Sequence, residues 1–435
     1  MKPVKVGICG LGTVGGGTFN VLQRNAAEIA RRAGRRIQIE QIGMRRPNPA
    51  CDTKGMHVTA DVFEVATNPE IDIVIELIGG YDVAYKLVMT AIENGKHVVT
   101  ANKALIAVHG NEIFAAAQEK NVMVAFEASV AGGIPIIKAL REGLSANKIN
   151  WLAGIINGTG NFIMTEMREK GRDFQDVLAE AQALGYAEAD PTFDVEGVDA
   201  AHKVTIMASI AFGIPVNFEG AYVEGISQLQ QKDIAYAEEL GYRIKLLAIT
   251  KAHSDAVEIR VHPTLIPEKR LVANVNGPMN AVLVKGNMVG PTLYYGAGAG
   301  AEPTASAVVA DVIDIVRQCK HGPGSMIPTL GFTKENIKKK KLLAIEEVES
   351  EFYLRLSMKN KTGLLANITN IFADKGVSID AMVHKEIQDN NLDPDIFLVT
   401  SKVKEQTINE IISKIESLPE NKDKIIKIRI EELNK

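Results

Sequence analysis

The sequence predicts an α/β chain in three parts: a doubly wound parallel sheet, an inserted α+β unit, and a smaller βαββαβ unit at the C-terminal end. Three observations carry this expectation. From Val4, an apolar strand runs straight into a glycine turn and then a helical pattern, VKVGICGLGTVGGGTFNVLQ. Short apolar runs then alternate with helical ones to about residue 150, as parallel sheets require. Beyond about residue 350 the order becomes strand, helix, strand, turn, strand, helix, strand.

The glycine turn GLGTVG fits G-x-G-x-x-G at Gly10, Gly12 and Gly15, between a strand and a helix, which is the context of a Rossmann-type dinucleotide site. Gly15, Gly16 and Gly17 lie within the helix and would destabilise it by about 2 kcal/mol or more relative to alanines. A pyrophosphate on bare backbone amides would offset this, and so would close packing of the helix on its neighbours. IQIEQIGM, IDIVIELIGG, KHVVTANK and VMVAFEAS read as further strands, with DVAYKLVMTAIENG as a connecting helix. The second strand ends in IGMRRPN, so Arg45 and Arg46 stand where this fold usually places an acid for the adenosine ribose. Arginines there suit a 2′-phosphate and favour NADP(H) over NAD, although exposed arginines after a strand are common.

TANKALIA brings Lys103 to the carboxyl edge of the sheet, either into the ligand crevice or as a surface lysine at a helix start. FEASVAGGIP joins Glu127 to a loop of small residues. Such a loop can give oxygen ligands to a hard cation or simply turn into the helix IPIIKALREG.

After about residue 150 the pattern changes. INWLAGIINGTGNFIMTEM reads as a strand and a helix. LGYAEADPTFDVEGVDAAHK then places five carboxylates in twenty residues and ends on Lys203. Pro191 interrupts any helix through the acidic part, and Gly185 and Gly197 punctuate it, which puts Glu188, Asp190 and Asp194 on a shaped loop. From Val195 a helix is expected with Asp194 as N-cap, and on it Asp199 and Lys203 share a face. His202 projects elsewhere and reads as a packing neighbour. YRIKLLAITK, AVEIRVHPTLI, NAVLVKGNM and TLYYGAG read as strands of a mixed or antiparallel sheet, with VKGN as a hairpin turn. AEPTASAVVADVIDIVRQC is a helix expected to return to the first unit.

The expected division is therefore 1–150 with about 300–320, an insert at 151–299, a linker at 321–349, and a terminal unit at 350–435. The linker carries the turn-rich HGPGSMIP and the solvated run Lys338 to Lys341.

Composition narrows the function. With 46% hydrophobic and 23% charged residues and a net charge of −4, the 435 residues form globular cores and offer no general attraction for nucleic acid or anionic membrane. The start lacks a signal-peptide layout and no apolar run is long enough to span a bilayer, which points to the cytoplasm. Cys9, Cys51 and Cys319 lack metal spacing and read as reduced thiols. With neither clustered histidines nor a Ser-His-Asp arrangement, lysines and carboxylates remain as the chemical groups.

Ala181, Gly185, Pro191, Asp194, Gly197, Asp199 and Lys203 match every fixed position of the homoserine dehydrogenase signature. GLGTVGGG, TANKALIA, FEASVAGGIP, NGTGNF and GAGAGAEPT also resemble that family's segments, in its order, so the resemblance covers residues 1 to about 330. The tail resembles an ACT regulatory domain, as in bacterial homoserine dehydrogenases that respond to threonine. The resemblance implies reversible reduction of L-aspartate 4-semialdehyde to L-homoserine with NAD(P)H. It makes Lys203 the proton donor to the developing alkoxide and Lys103 the second catalytic lysine. Glu188 and Asp199 would hold the substrate's amino and hydroxyl groups, supported by Asp194. Cofactor contacts would include Gly12, Thr13, Val14, Arg45, Thr100, Lys103, Gly185, Glu188 and Gly300. A sodium ion would take Glu127 and the main-chain carbonyls of Val130, Gly132 and Ile134. L-threonine becomes the expected effector, and a homodimer or homotetramer the expected assembly. For Lys203, burial and the second lysine oppose Asp199, so a modest downward pKa shift is expected. One departure stands out: where ACT domains commonly carry Asp-x-Pro-Gly, this chain has Asn360, Lys361, Thr362 and Gly363.

Overall fold

The computed structural model describes residues 2–319, 326–359, 361–384 and 395–433. Most of the HGPGSMIP turn, Asn360 and most of the expected QDNNLDPD turn lie outside the described residues.

The first unit runs β1 (Val4–Cys9), α1 (Thr13–Arg24), α2 (Ala26–Ala33), β2 (Ile37–Gly43), β3 (His57–Thr59), α3 (Val62–Thr67), β4 (Ile73–Glu76), α4 (Asp82–Glu93), β5 (His97–Thr100), α5 (Lys103–Glu119) and β6 (Val124–Ala125). All six strands are parallel in the order β3-β2-β1-β4-β5-β6. The chain reverses direction across the sheet between β1 and β4, which opens a crevice at the carboxyl ends of those strands. β3 was not expected: it has three residues, of which His57 and Val58 are exposed, too short a run to show a period.

Packing accounts for the three glycines of α1. A Cβ on Gly15 would overlap the carbonyl of Gly10, and one on Gly17 would overlap the carbonyl of Ala301. One on Gly16 would stand 2.5 Å from Asn48 Nδ2. The helix is thus pressed at once onto its own turn, the loop after β2, and a distant helix.

The chain crosses into the second unit through α6 (Ile136–Lys138) and continues as β7 (Ile149–Ile155), α7 (Gly158–Lys170), α8 (Phe174–Ala183), α9 (Thr192–Val195), α10 (Val198–Phe212), β8 (Tyr222–Val223), α11 (Gln231–Glu239), β9 (Tyr242–Ala252), β10 (Ala256–Pro267), β11 (Met279–Gly286) and β12 (Gly290–Ala297). β12-β11-β7-β9-β10 form an antiparallel run. The hairpin loop is Asn287–Val289 rather than VKGN. Val284 and Lys285 still pair with Thr292 and Pro291, and Gly290 at φ 77° supplies the left-handed turn that closes it. Asp194 is also not the N-cap of α10. It belongs to the short α9, and α10 begins only after Gly197, which at φ 82° takes a conformation that would strain other residues.

α12 (Ala301–Gln318) returns to the first unit, where Ala305, Val308, Val312 and Ile315 share a core with Val6, Ile8 and Leu22. The tail adds β13 (Lys341–Leu342), β14 (Glu349–Ser357), α13 (Leu364–Asp374), β15 (Ile379–His384), β16 (Asp395–Thr400), β17 (Val403–Lys404), α14 (Glu405–Glu416) and β18 (Ile426–Ile430). The order β18-β14-β16-β15 with both helices on one face is ferredoxin-like. Gly363, at φ 88°, caps α13, which accounts for the glycine that persists there. The sheet's other face is covered by α11, with the Tyr236 and Phe397 rings in contact. β18 also pairs in parallel with β10, Thr264 opposite Arg429 and Leu265 opposite Ile430, so the tail's sheet continues that of the second unit. Among the described residues, no helix is long and apolar enough to cross a membrane.

Candidate active site

Lys103 is held by its approach. Glu76, buried at the end of β4, accepts backbone N–H groups from Ile78 at 2.9 Å and Gly79 at 3.2 Å. Its other oxygen accepts the Thr100 hydroxyl at 2.5 Å. Thr100 in turn accepts Asn102 N, and the Asn102 side chain caps α5 through Leu105 N at 3.1 Å while donating to Gly80 O at 2.7 Å. The helix carrying Lys103 at its first position is therefore tied to the ends of both β4 and β5. The Thr100 hydroxyl points inward to Glu76.

Facing it, α10 presents Asp199 and Lys203. Lys103 Nζ lies 2.8 Å from one Asp199 oxygen, and Lys203 Nζ lies 2.7 Å from the other. Lys203 also donates to Ile156 O at 2.8 Å, at the end of β7. Asn157, the N-cap of α7, donates one amide hydrogen to Asp194 at 2.8 Å and the other to Asp199 at 2.9 Å. Its carbonyl accepts Gly160 N. One carboxylate thus joins a lysine from each unit.

The electrostatics separate the two lysines. Burial drives the Lys203 ammonium down, Asp199 draws it back, and the Lys103 charge lowers it again, leaving its pKa below the ordinary lysine value. Lys103 meets burial too, but Asp199, Asp194 and Glu188 outweigh it and its pKa is raised. Burial would raise Asp199, yet the two lysines hold it well below the usual carboxylate range. Burial and the Asp199 charge push Asp194 up. His202 is pushed down to about 4, chiefly by burial, and sits between the Phe193 and Phe218 rings. Phe193 also covers Lys103, with Nζ 5.6 Å from the ring centroid.

On the acidic loop, Glu188 and Gly185 are exposed, and the Glu188 carboxylate bonds to no described residue. Asp190 instead accepts Thr192 N and shapes the turn. Across the crevice a cavity of about 1050 Å³ is lined by Gly10, Gly12, Thr13, Arg45, Arg46 and Gly79. Val14 and Gly15 form the first turn of α1 beside it, and Gly300 precedes α12 at φ 120°.

At the crossover between units, Glu127 accepts Ile137 N and Lys138 N, each at 2.8 Å, and burial with the Asp311 charge pushes it up to about 7. Ile134 O accepts Ile136 N, while the carbonyls of Val130 and Gly132 accept no hydrogen bond among the described residues. Gly132 lies at φ 50°, pressed on Gly298 of the returning crossover. This loop has free carbonyl oxygens and a partly committed carboxylate, a donor set that fits a monovalent cation better than a transition metal. Among the described residues, no group of three or more His, Cys, Asp or Glu forms a metal cluster.

Sequence reasoning did not single out Glu76, Asn102 or Asn157. Their signals were faint: a carboxylate ending an apolar strand, and two asparagines before helices, each a capping position.

The chain matches the homoserine dehydrogenase family model over residues 135–313, the homoserine dehydrogenase NAD-binding domain model over 10–127, and the ACT domain model over 352–420. It is 63% identical over 434 residues to a homoserine dehydrogenase of Pseudomonas aeruginosa, covering 100% of each chain. The solved homoserine dehydrogenase of Thiobacillus denitrificans superposes with a TM-score of 0.95 at 60% identity, covering 100% of this chain and 99% of that one. A hyperthermophilic archaeal homoserine dehydrogenase in complex with NADPH superposes at 0.62 and 25% identity, covering 72% of this chain and 98% of that one. The likeness runs through the nucleotide fold, the lysine-bearing unit and the tail alike, and the chain belongs to the homoserine dehydrogenase family, as an NAD(P)-dependent oxidoreductase with a C-terminal ACT domain.

Proposed function

We propose that this chain reduces L-aspartate 4-semialdehyde to L-homoserine reversibly, on the route to threonine, methionine and isoleucine, with Lys203 as the proton donor. The observation that carries the reading is the pair of lysines on one carboxylate, one with a lowered pKa and one raised. Two titratable groups pushed apart in this way divide acid–base work from charge stabilisation.

A bound reduced nicotinamide supplies hydride to the aldehyde carbon. Lys203 gives its proton to the developing alkoxide, and Asp199 and Ile156 O aim its ammonium. Lys103 stays charged and offsets the negative oxygen. Glu188, exposed and unbonded, meets the substrate ammonium, with Asp194 supporting it. Asp199 acts on the substrate hydroxyl through the lysines, because Lys103, Lys203 and Asn157 already occupy its oxygens.

The cavity beside Gly10, Gly12 and Thr13 fits the dinucleotide, and Arg45 and Arg46 favour NADPH over NADH. Gly185, Glu188, Lys103, Thr100 and Gly300 border the nicotinamide end. The free carbonyls of Val130 and Gly132, with Ile134 and Glu127, would hold a sodium ion and brace the crossover. L-threonine acting through the ACT domain is the expected feedback signal. A homodimer or homotetramer fits the exposed edge strand β12, where Tyr295 is 59% exposed. The division into nucleotide part (1–150 with about 300–320), substrate and dimerisation part (151–299), linker (321–349) and ACT part (350–435) belongs to the same reading. The separate six-stranded sheet and the return of α12 support its first boundary, and the distinct core under α13 and α14 supports the last, although the second and third parts share one continuous sheet. A cytoplasmic setting accords with the three free cysteines.

The test is NADPH oxidation by the purified protein with L-aspartate 4-semialdehyde, with and without millimolar L-threonine. Turnover suppressed by threonine is expected. Absence of turnover in a folded, nucleotide-binding protein overturns the enzymatic reading, and turnover indifferent to threonine overturns the effector alone.

A further inference from the structure

Arg45 and Arg46 are exposed and form no ion pair among the described residues, yet the strap that carries them is firmly fixed. The strap reads Arg45-Arg46-Pro47-Asn48-Pro49, so two prolines stiffen it and hold Arg46 and Asn48 out of helical conformations. Asn48 reaches back to the glycine turn. Its Nδ2 donates to Leu11 O at 2.9 Å and also faces Gly12 O at 3.4 Å, and its Oδ1 accepts Ala50 N at 3.0 Å. Asn20 on α1 adds a bond to Ala50 O at 3.1 Å. This closure depends on Gly16, where a Cβ would stand 2.5 Å from Asn48 Nδ2 and 3.2 Å from Cys51 Sγ. Gly16 therefore makes room for a latch.

We propose that Asn48, seated against Gly16, is a positioning residue for cofactor choice: it locks the Arg45–Arg46 strap to the phosphate-binding turn, so that the arginines stand ready for a nucleotide 2′-phosphate. The inference rests on the NADPH reading above. The physical reason is preorganisation. An arginine on a free loop must be ordered as it binds, and that ordering subtracts from the charge-assisted bonds it makes, whereas a latched strap is already ordered. Asn48 lines the cavity beside the glycine turn, but its amide is spent on Leu11 O and Ala50 N, so its loss should fall chiefly on the 2′-phosphate and largely spare what NADP⁺ and NAD⁺ share.

The test is equilibrium binding of NADP⁺ and NAD⁺ by calorimetry, with adenosine 2′,5′-bisphosphate and AMP as probes of the subsite alone. Replacing both arginines, Arg45→Ser with Arg46→Ser, should lower the NADP⁺ over NAD⁺ preference by about tenfold or more, the size of lost charge-assisted bonds. Asn48→Ala should lower the same ratio by about fivefold with the NAD⁺ affinity within about twofold, a part of that loss. Gly16→Ala, which leaves Asn48 in place but unseats it, should reproduce the effect. The double variant Asn48→Ala with Gly16→Ala should be no worse than either alone, because both break one contact. If the arginine variant loses the preference and Asn48→Ala keeps it, the latch is wrong and the NADPH reading stands. If the arginine variant keeps the preference, the 2′-phosphate reading falls and the latch falls with it. Equal loss of both nucleotides in Asn48→Ala would make Asn48 a support of the glycine turn only, and overturns the proposal.

Discussion

Two of the buried ionic clusters in this fold use different cations. At the junction with the tail, Arg429 donates to Glu405, Glu224 and the Tyr222 hydroxyl, while Arg260 donates to Glu258 and Glu431. In the cleft, Lys103 and Lys203 share Asp199. Against the penalty of burial, the junction's arginines are raised and Glu405, Glu258 and Glu431 lowered, Glu431 to about 2. Its members that can lose a proton do move toward neutrality: Lys427, on the margin, is lowered, and His262, beside Arg260, is driven well down by burial and the two arginines. In the cleft, Lys203 goes down and Asp194 goes up, so two members of the cluster move toward the uncharged state. An arginine cannot release its proton in a protein, and a lysine can. Burial among arginines therefore makes a fastening, and burial among lysines makes an acid.

The sharpest break of this comparison exchanges the cation. Lys203→Ala should lower turnover by about 10³-fold, within the range for loss of a general acid, with NADPH affinity unchanged by fluorescence titration. Lys203→Arg should be nearly as inactive, although it keeps the charge. An active arginine variant would mean that charge alone serves and that Lys203 transfers no proton.

The reverse exchange belongs to the junction. Arg429→Ala should destabilise the chain by about 3 kcal/mol in denaturant unfolding, the lower end for a broken buried pair, because Glu405 keeps only Lys427 on its margin. Arg429→Lys should recover less than half, since an ammonium cannot span Glu405, Glu224 and Tyr222 as the guanidinium does. The junction should also be acid-labile. Glu431, Glu258 and Glu405 have folded pKa values below their unfolded ones, so their contribution is complete above about pH 5 and is lost as pH falls toward 2. Unfolding midpoints measured across that window should show the loss in the parent and a smaller one in Arg429→Ala.

The cleft should instead titrate in turnover. In the proposed mechanism reduction needs protonated Lys203, so kcat for semialdehyde reduction should fall as pH rises through the lowered Lys203 pKa, and homoserine oxidation should rise over the same limb. Lys103→Met removes a positive neighbour and leaves Lys203 as the one cation on Asp199 among the described residues, and both changes raise the Lys203 pKa. The limb should move to higher pH. A limb that stays in place would assign it to another group. Asn157→Ala is a smaller change, since it frees Asp194 and Asp199 from a shared donor without removing a charge. About a tenfold loss of kcat/KM is expected, the value of two hydrogen bonds to carboxylates that water can partly replace.

The same contrast marks what the sequence could disclose. Lys203 and Asp199, four apart on one helix, and the glycine turn after β1 were legible because local spacing places those groups. The junction was not: Arg429 and Glu224 are 205 residues apart, and nothing in either segment signals that β18 pairs with β10. Asp194 shows the limit within a single motif. A capping position was read from residue type, but Gly197 at positive φ starts the helix three residues later and frees Asp194 to face Asn157. The glycines of α1 likewise encode contacts with Asn48 and Ala301 that become visible only when those distant residues are in place.

The smallest expected effect probes how the cleft keeps its lysines dissimilar. Phe193, itself partly exposed, lies over Lys103 and also against His202, which is buried with no partner for Nδ1 among the described residues. A ring face attracts an ammonium by about 0.5–1 kcal/mol at a partly exposed site, so Phe193→Ala should weaken the hold on Lys103 by about that amount. With Lys103 at the substrate, as proposed, the loss should appear as a rise of about two- to fivefold in the semialdehyde KM, the same energy expressed as a ratio. Lys203 is buried and bonded to Asp199 and Ile156 O, so the pH limb of kcat should not move. Phe193→Leu keeps the apolar cover but lacks a ring quadrupole, and should fall close to Phe193→Ala if the cation contact matters. Recovery by leucine would make Phe193 a plain lid over the cleft, and a shifted pH limb would mean that the two lysines are less separately tuned than their opposite pKa shifts imply.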